Sequence, residues 1–162
     1  MAATKERITC HILDTSKGSP ARGVRVRLEL TAPRQPPATA SGTIEAPGGH
    51  HYHGGATKVF ESQTNDDGRV TVWLPYSSSN ASGEVPVYTL DDVLGEAEEE
   101  AAARSTSPLP STWTLRFDVD GYYGVGNAFF PEVAVTFRVA PGQHYHVPLL
   151  LNPFSYTTYR GS

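Results

Sequence analysis

The alternation of apolar and polar residues along the chain is the feature that most constrains its fold. Residues 24–30 read Val-Arg-Val-Arg-Leu-Glu-Leu, which places the apolar side chains on one face of an extended strand and the charged ones on the other. Other segments with this alternation are 8–14, 57–63, 69–74, 112–119, 133–139, 143–151 and 155–160. The repeated period of two residues predicts an all-β protein of about eight strands, each with one buried face.

Short turn sequences separate these segments. Asn65-Asp66-Asp67-Gly68 is a strong hairpin signal, because glycine tolerates a positive φ and the Asn and Asp side chains bond to their own backbone. Ala140-Pro141-Gly142 and Asn152-Pro153 mark two further turns. Many short strands joined by tight turns favour an antiparallel β-sandwich.

Two long segments lack the alternation. Residues 34–56 are rich in Pro, Ala, Gly and His, and residues 76–111 contain an Ala- and Glu-rich part, Leu90 to Arg104, that is predicted to be at least partly helical. We interpret both segments as insertions into a single domain that covers residues 1–162. Because loops this long in a compact domain are usually functional or disordered, we expect disorder over much of both.

Composition excludes several classes of protein. The chain has one cysteine, Cys10, so it cannot form an intrachain disulfide, and no apolar run reaches the ~20 residues of a membrane span. Its formal net charge is −4 and it has no dense basic stripe, which argues against nucleic acid binding. The first residues lack the apolar stretch of a signal peptide, so we expect a cytoplasmic protein.

Three histidines and one arginine stand out on the polar faces of the predicted strands. His144 and His146 are two residues apart and share the less apolar face of the penultimate strand. His11 points away from the apolar face of the first strand, and Arg69 opens a strand directly after a turn. From the pattern alone, the histidines could be a catalytic base, a metal-ligand pair or surface residues. Arg69 could bind a ligand or only water.

The C-terminus ends on a strand-like pattern with no polar tail. Its last residues are Tyr159-Arg160-Gly161-Ser162. Chain termini usually fray, so one that stops directly on a strand can contribute its carboxylate and the Ser162 hydroxyl to a site. Chance is the alternative explanation.

Several short motifs occur together and in a fixed order. They lie at 11–15, 18–21, 23–24, 64–69, 129–133, 144–151 and 159–162. Together they resemble the motifs of the 5-hydroxyisourate hydrolases, the transthyretin-like enzymes of purine breakdown. The final tetrapeptide resembles the one that separates these hydrolases from transthyretin itself. The two insertions are departures from the shorter core of that family, although every motif position is filled.

The resemblance implies a transthyretin-like (prealbumin-like) sandwich with one short helix near 120–126. It implies that the substrate is 5-hydroxyisourate, the unstable product of urate oxidation, and that the product is 2-oxo-4-hydroxy-4-carboxy-5-ureidoimidazoline. It implies no cofactor, and a homotetramer with two-fold symmetry and active sites at the channel between dimers. Because urate breakdown is often peroxisomal in eukaryotes, the peroxisome is the alternative location.

Roles for individual residues follow from the resemblance. His11 and His146 are predicted to transfer protons, with no choice between them as the base. Arg69 is predicted to bind and polarise the substrate, because its planar guanidinium makes paired hydrogen bonds and stays charged. The residues predicted to close the site are Tyr159, Arg160, Gly161 and Ser162. Ser162 is predicted to touch the substrate, and His144 has a supporting role.

Other interpretations remain open at this point. His11, His144 and His146 could form a three-histidine zinc site, and the histidines at 50–53 could bind nickel or copper loosely. A transthyretin-like carrier would instead hold a small hydrophobic ligand in the tetramer channel. The acidic segment 84–104 could belong to a β-sandwich interaction module, although a solvated negative loop explains it as well.

Overall fold

The computed structural model describes residues 6–31, 58–75, 88–104, 106–107 and 109–162. In chain order, the elements of these residues are β1 (Ile8–Asp14), β2 (Ser19–Pro20), β3 (Arg25–Thr31), β4 (Lys58–Gln63), β5 (Arg69–Val70), β6 (Leu74–Pro75), α1 (Leu90–Arg104), β7 (Ser111–Asp118), α2 (Val119–Tyr123), β8 (Glu132–Val139), β9 (Tyr145–Asn152) and β10 (Ser155–Thr158). Neither helix is long and apolar enough to cross a membrane.

The strands form two sheets around one apolar core. The first sheet has the order β10-β9-β1-β2, with β5 also paired to β1. The second sheet has the order β6-β4-β3-β7-β8. This arrangement confirms the prediction of an all-β sandwich.

The apolar faces that the alternation predicts make up this core. Val26 and Leu28 of β3 and Leu115 and Phe117 of β7 are almost fully buried. On β8, by contrast, Val135 is only partly buried, although the same alternation places it on the core face. Among the described strands, β8 is at the edge of its sheet and pairs only with β7, which leaves its side chains less covered.

One strand pairing departs from the predicted antiparallel arrangement. β1 and β9 run parallel, with Cys10 opposite Val147 and Ile12 opposite Leu149. The other pairings between described strands are antiparallel. β1 is therefore a central strand, with β9 along one side and both β2 and β5 along the other.

The strand predicted at 69–74 is divided between the two sheets. β5 pairs with β1 in the first sheet, and β6 pairs with β4 in the second. Between them Trp73 is buried and donates its Nε1–H to the Ile8 carbonyl at 2.8 Å. The turn before β5 therefore connects two sheets instead of forming a hairpin. It requires Gly68, which has a φ of 72° and approaches the Ile12 carbonyl too closely for a Cβ atom.

Helix α1 confirms the predicted helix and has the bounds that the sequence predicts. Leu90, Val93 and Leu94 are buried in the core of the sandwich. The helix begins with a reciprocal cap, in which Asp92 N–H donates to Thr89 Oγ1 and Thr89 N–H donates to Asp92 Oδ2. The insertion at 34–56 and the first part of the other insertion lie outside the described residues.

The short helix implied by the resemblance is α2, which begins one residue earlier than expected and ends at Tyr123. Asp118 caps it, because its side chain accepts a hydrogen bond from Gly121 N–H. α2 leads the chain from β7 towards β8 at the edge of the second sheet.

Candidate active site

Three of the predicted site residues meet on the outer face of the first sheet. In the register of the strands, His11 of β1 lies opposite Arg69 of β5. Side chains opposite each other in paired strands share a face and lie about 5 Å apart at Cβ. The ring of His146, on β9, has its centroid 6.5 Å from that of His11, with an angle of 32° between the ring planes. The pairing of β5, β1 and β9 therefore assembles one arginine and two histidines from distant parts of the chain.

Thr9 adjoins His146 but is not among the site residues that the sequence predicts. It lies opposite His146 in the parallel register, and its Oγ1 is 2.8 Å from His146 Nδ1. Either atom can be the donor, depending on the tautomer of the ring. Thr9 is only 6% exposed. The available signal was its spacing from His11, because residues two apart on a strand share a face.

Gly161 holds the C-terminal segment against His146. Beyond β10 the chain continues antiparallel to β9 in the same register, and Gly161 N–H donates to the His146 carbonyl at 2.8 Å. A Cβ atom on Gly161 would lie 2.8 Å from His146 Cδ2 and 3.1 Å from Pro148 Cγ. Only glycine fits this position without a shift of its neighbours.

The other three residues of the tetrapeptide are exposed. The guanidinium of Arg160 lies over the Tyr145 ring, 4.8 Å from its centroid, and its Nη2 is 3.4 Å from Gln143 Oε1. The residues that line a cavity of about 450 Å³ include Val135, Phe137, Tyr145, His146, Tyr159 and Arg160, but not His11 or Arg69. Ser162 directly follows Gly161, and its backbone therefore begins one residue beyond the bridge to His146.

His144 does not join the other two histidines in a metal site. It is exposed and precedes the first residue of β9. Within the part of the chain that the structure describes, no three His, Cys, Asp or Glu side chains are placed to hold one metal ion. The histidines at 50–53 lie outside that part.

The amino-acid sequence of the chain matches a known family. A sequence model of the HIUase/Transthyretin family matches residues 8–161. The chain belongs to the HIUase/Transthyretin family.

Members of the family in other organisms match over nearly the whole chain. The Arabidopsis thaliana uric acid degradation bifunctional protein TTL is 37% identical over 161 residues, which cover 96% of this chain and 37% of that protein. The chain thus spans little more than a third of the plant relative. A probable 5-hydroxyisourate hydrolase of Schizosaccharomyces pombe is 33% identical over 158 residues, which cover 96% of this chain and 90% of that protein.

A solved member of the HIUase/Transthyretin family has the same fold. The crystal structure of sea bream transthyretin in complex with thyroxine aligns with a TM-score of 0.57 and 21% identity, over 96% of this chain and 95% of that one. A likeness at this identity supports the two-sheet fold described above.

The electrostatics of the site in this family member favour an anionic ligand. Arg69 is exposed, and among the described residues no carboxylate forms an ion pair with it. Its charge is therefore available to a ligand. Cys10 lies between Thr9 and His11 but faces the core, where burial raises the pKa of its thiol to about 12. A buried neutral thiol is a poor nucleophile, so Cys10 is not a candidate for nucleophilic attack.

Proposed function

We propose that this protein is a 5-hydroxyisourate hydrolase, which opens the six-membered ring of its substrate to give 2-oxo-4-hydroxy-4-carboxy-5-ureidoimidazoline. The observation that carries the proposal is the convergence of His11, Arg69 and His146 on one sheet face, with Gly161 bridged to His146. The name of the fungal relative supports the choice of substrate. His11, Arg69, His146 and Ser162 are the proposed catalytic residues.

The two histidines supply the proton transfers of this reaction. Imidazole changes its charge near neutral pH, so a neutral ring can take a proton from water and return it later. As the water oxygen bonds to the ring carbonyl carbon, one proton passes to the histidine. When the ring C–N bond breaks, that proton passes to the departing nitrogen, and the carbonyl carbon becomes that of a carboxylic acid, which releases the second water proton to solvent and leaves a carboxylate. The reaction consumes one water and requires no cofactor.

Arg69 stabilises the negative charge that develops on the carbonyl oxygen. A guanidinium makes two parallel hydrogen bonds to a flat anion and remains charged at every working pH. The exposed position of Arg69 beside His11 supports this role. Fixed donors of this kind are among the largest contributions to catalysis of acyl transfer.

The C-terminal tetrapeptide forms one wall of the site. Tyr159, Arg160, Gly161 and Ser162 bind the substrate, and Ser162 touches it directly. Support comes from the bridge between Gly161 and His146.

We further propose that residues 1–162 form one domain and that four copies assemble with two-fold symmetry. The sites then lie at the channel between dimers. Support comes from Phe129 and Phe154, which are 72% and 76% exposed. They are adjacent because Phe129 N–H donates to the Pro153 carbonyl. We place the reaction in the cytoplasm, with the peroxisome as the alternative, and a fluorescent fusion with a peroxisomal marker distinguishes the two.

An ultraviolet time course tests the proposed activity. Urate oxidase generates 5-hydroxyisourate from urate in the cuvette, and the protein is added when urate is exhausted. We expect the absorbance of 5-hydroxyisourate to decay faster than in buffer, with the rate proportional to protein concentration. Decay at the spontaneous rate would reject the hydrolase and favour the alternative, a transthyretin-like carrier of a small hydrophobic ligand.

A further inference from the structure

The ring of His146 is held on two sides, which distinguishes it from the ring of His11. Thr9 Oγ1 lies 2.8 Å from Nδ1, and on the Cδ2 side Gly161 packs so near that a Cβ atom there would lie 2.8 Å from the ring. The His11 side chain has no hydrogen bond to any residue in the described part of the chain. A general base must keep one nitrogen aimed at the water it deprotonates, so the ring with fixed orientation is the better candidate.

The contact with Thr9 bears on the tautomer of His146 as well as its orientation. A neutral imidazole carries its proton on one nitrogen only, and the partner of that nitrogen decides which one. A threonine hydroxyl can accept a hydrogen bond from Nδ1–H or donate one to an unprotonated Nδ1. The first arrangement leaves the lone pair on Nε2, where it can accept a proton from water. The second places the proton on Nε2 and makes the ring a donor.

We propose that Thr9 is a positioning residue that accepts a hydrogen bond from Nδ1–H of His146 and thereby makes His146 the general base. This inference rests on the proposed hydrolase function, and it decides between the two histidines. Through the whole cycle the proton on Nδ1 stays in place. Nε2 takes a proton from water during attack and gives it to the departing ring nitrogen. Thr9 touches the histidine and not the substrate.

A spectroscopic test reads the tautomer without any activity. Two-bond ¹H–¹⁵N correlations of protein labelled at histidine distinguish Nδ1–H from Nε2–H, and the His146 signals are those missing from His146→Ala. At about pH 8, where imidazole is neutral, we expect the Nδ1–H form in the wild type and in Thr9→Ser. Thr9→Val, which has the same shape without the hydroxyl, is expected to shift the population towards Nε2–H. An Nε2–H tautomer in the wild type would overturn the proposal.

Kinetics of the same variants form the second test. We expect Thr9→Val to lower kcat roughly tenfold to a hundredfold, as loss of an orienting partner does elsewhere, with KM nearly unchanged and with recovery in Thr9→Ser. Thr114→Val is the matched control, because Thr114 is 7% exposed and bonds to Thr31 and Thr136 on the other sheet. Wild-type kcat in Thr9→Val, or an equal loss in Thr114→Val, would overturn the proposal.

The two tests separate failure of this inference from failure of the proposed function. If the wild type does not accelerate decay of 5-hydroxyisourate, the hydrolase function is wrong, and no base can be assigned from it. If the wild type is active but the tautomer or the Thr9 variants disagree, the function stands and the assignment of His146 as the base by Thr9 is wrong.

Discussion

At the scale of single residues, Gly161 has the tightest surroundings in the site. An alanine Cβ would lie 2.8 Å from the His146 ring and 3.1 Å from the His146 carbonyl, so the ring must move or the bridge must open. Crowding of this kind costs about 1–3 kcal/mol. We expect Gly161→Ala to lower kcat/KM by about tenfold, because a loss of about 1.4 kcal/mol in stabilisation of the transition state corresponds to that factor. Steady-state kinetics measures it.

A second glycine provides the control for that variant. Gly95 lies within α1, and a Cβ atom there would meet nothing within 4 Å. Alanine favours the helix, so Gly95→Ala should raise the free energy of unfolding by roughly 0.5–1 kcal/mol and leave kcat/KM unchanged. Equal kinetics for Gly161→Ala and Gly95→Ala would contradict the role given to Gly161.

The sequence indicates which residues belong to the candidate site more readily than it indicates the contacts between them. His11, Arg69 and His146 are predictable because each lies on the polar face of an alternating strand or at its start. Thr9 is not, although it lies on the same face as His11, because a threonine there is also an ordinary strand residue. Its role becomes visible only when β9 places Nδ1 of His146 opposite it.

At the scale of elements, Glu98 attaches α1 to the sandwich. Its Oε1 lies 2.7 Å from Arg7 Nη2 and 3.2 Å from Gly142 N, and the two charged side chains are 29% and 15% exposed. Arg7 also donates to the Gln143 carbonyl. This group of contacts therefore links α1, the start of β1 and the β8–β9 loop.

We expect Glu98→Gln to lower the free energy of unfolding by about 1 kcal/mol, the usual magnitude for a partly shielded charged hydrogen bond. Urea unfolding followed by fluorescence measures it. Glu99→Gln is the matched control, since Glu99 is the next residue on the same helix and is exposed. Equal free energies of unfolding for Glu98→Gln and Glu99→Gln would show that Glu98 does not stabilise the attachment of α1.

Asp14 connects the end of β1 to α2 and makes stability depend on pH. Burial raises the pKa of its carboxyl, but hydrogen bonds from Ser16, Tyr122 and Tyr123 outweigh burial, and the net pKa lies below the ordinary value. The Tyr122 hydroxyl donates to Oδ2 at 2.9 Å. Because the pKa of Asp14 is lower in the folded state, ionised Asp14 stabilises the fold. This stabilisation is complete above the pKa of the unfolded state, about 3.9, and is lost as the pH falls through the pKa of the folded state.

We therefore expect Asp14→Asn to be less stable than the wild type by roughly 1–3 kcal/mol at about pH 7, with the difference shrinking below about pH 4. Urea unfolding at a series of pH values measures it. In the control Asp66→Asn, the lost partner is Arg22 and both side chains are more than three-quarters exposed, so we expect almost no change. A difference between Asp14→Asn and wild type that is constant with pH would contradict this account.

The elements were predictable where the physical signal is local. Alternation located the long strands, and the Ala- and Glu-rich composition located α1. The parallel pairing of β1 with β9 and the division of 69–74 between two sheets depend on contacts far apart in sequence, which turn residues do not report. The docking of α1 on the core was not predictable, because its buried residues, Leu90, Val93 and Leu94, form only one short apolar stripe in an acidic segment.

At the scale of the whole molecule, exposed aromatic side chains indicate association. Phe129, Phe130 and Tyr156 stack edge to face, and Phe154 is exposed nearby in the β9–β10 turn. Such a patch on an isolated chain is costly in water and typical of an interface. We expect light scattering at assay concentration to give a mass four times that of the 17.5 kDa chain. A monodisperse monomer would contradict the proposed assembly.

We propose that His146, and not merely a histidine in its neighbourhood, is required for the hydrolysis of 5-hydroxyisourate. Two histidines only two residues apart make a matched comparison, because His146 contacts Thr9 and His11 whereas His144 is exposed. The measurement is the ultraviolet decay of freshly generated 5-hydroxyisourate with wild type, His146→Ala and His144→Ala. We predict that His146→Ala loses at least about a hundredfold in kcat and that His144→Ala stays within about threefold of wild type. Full activity in His146→Ala, or equal losses in both variants, would contradict the account.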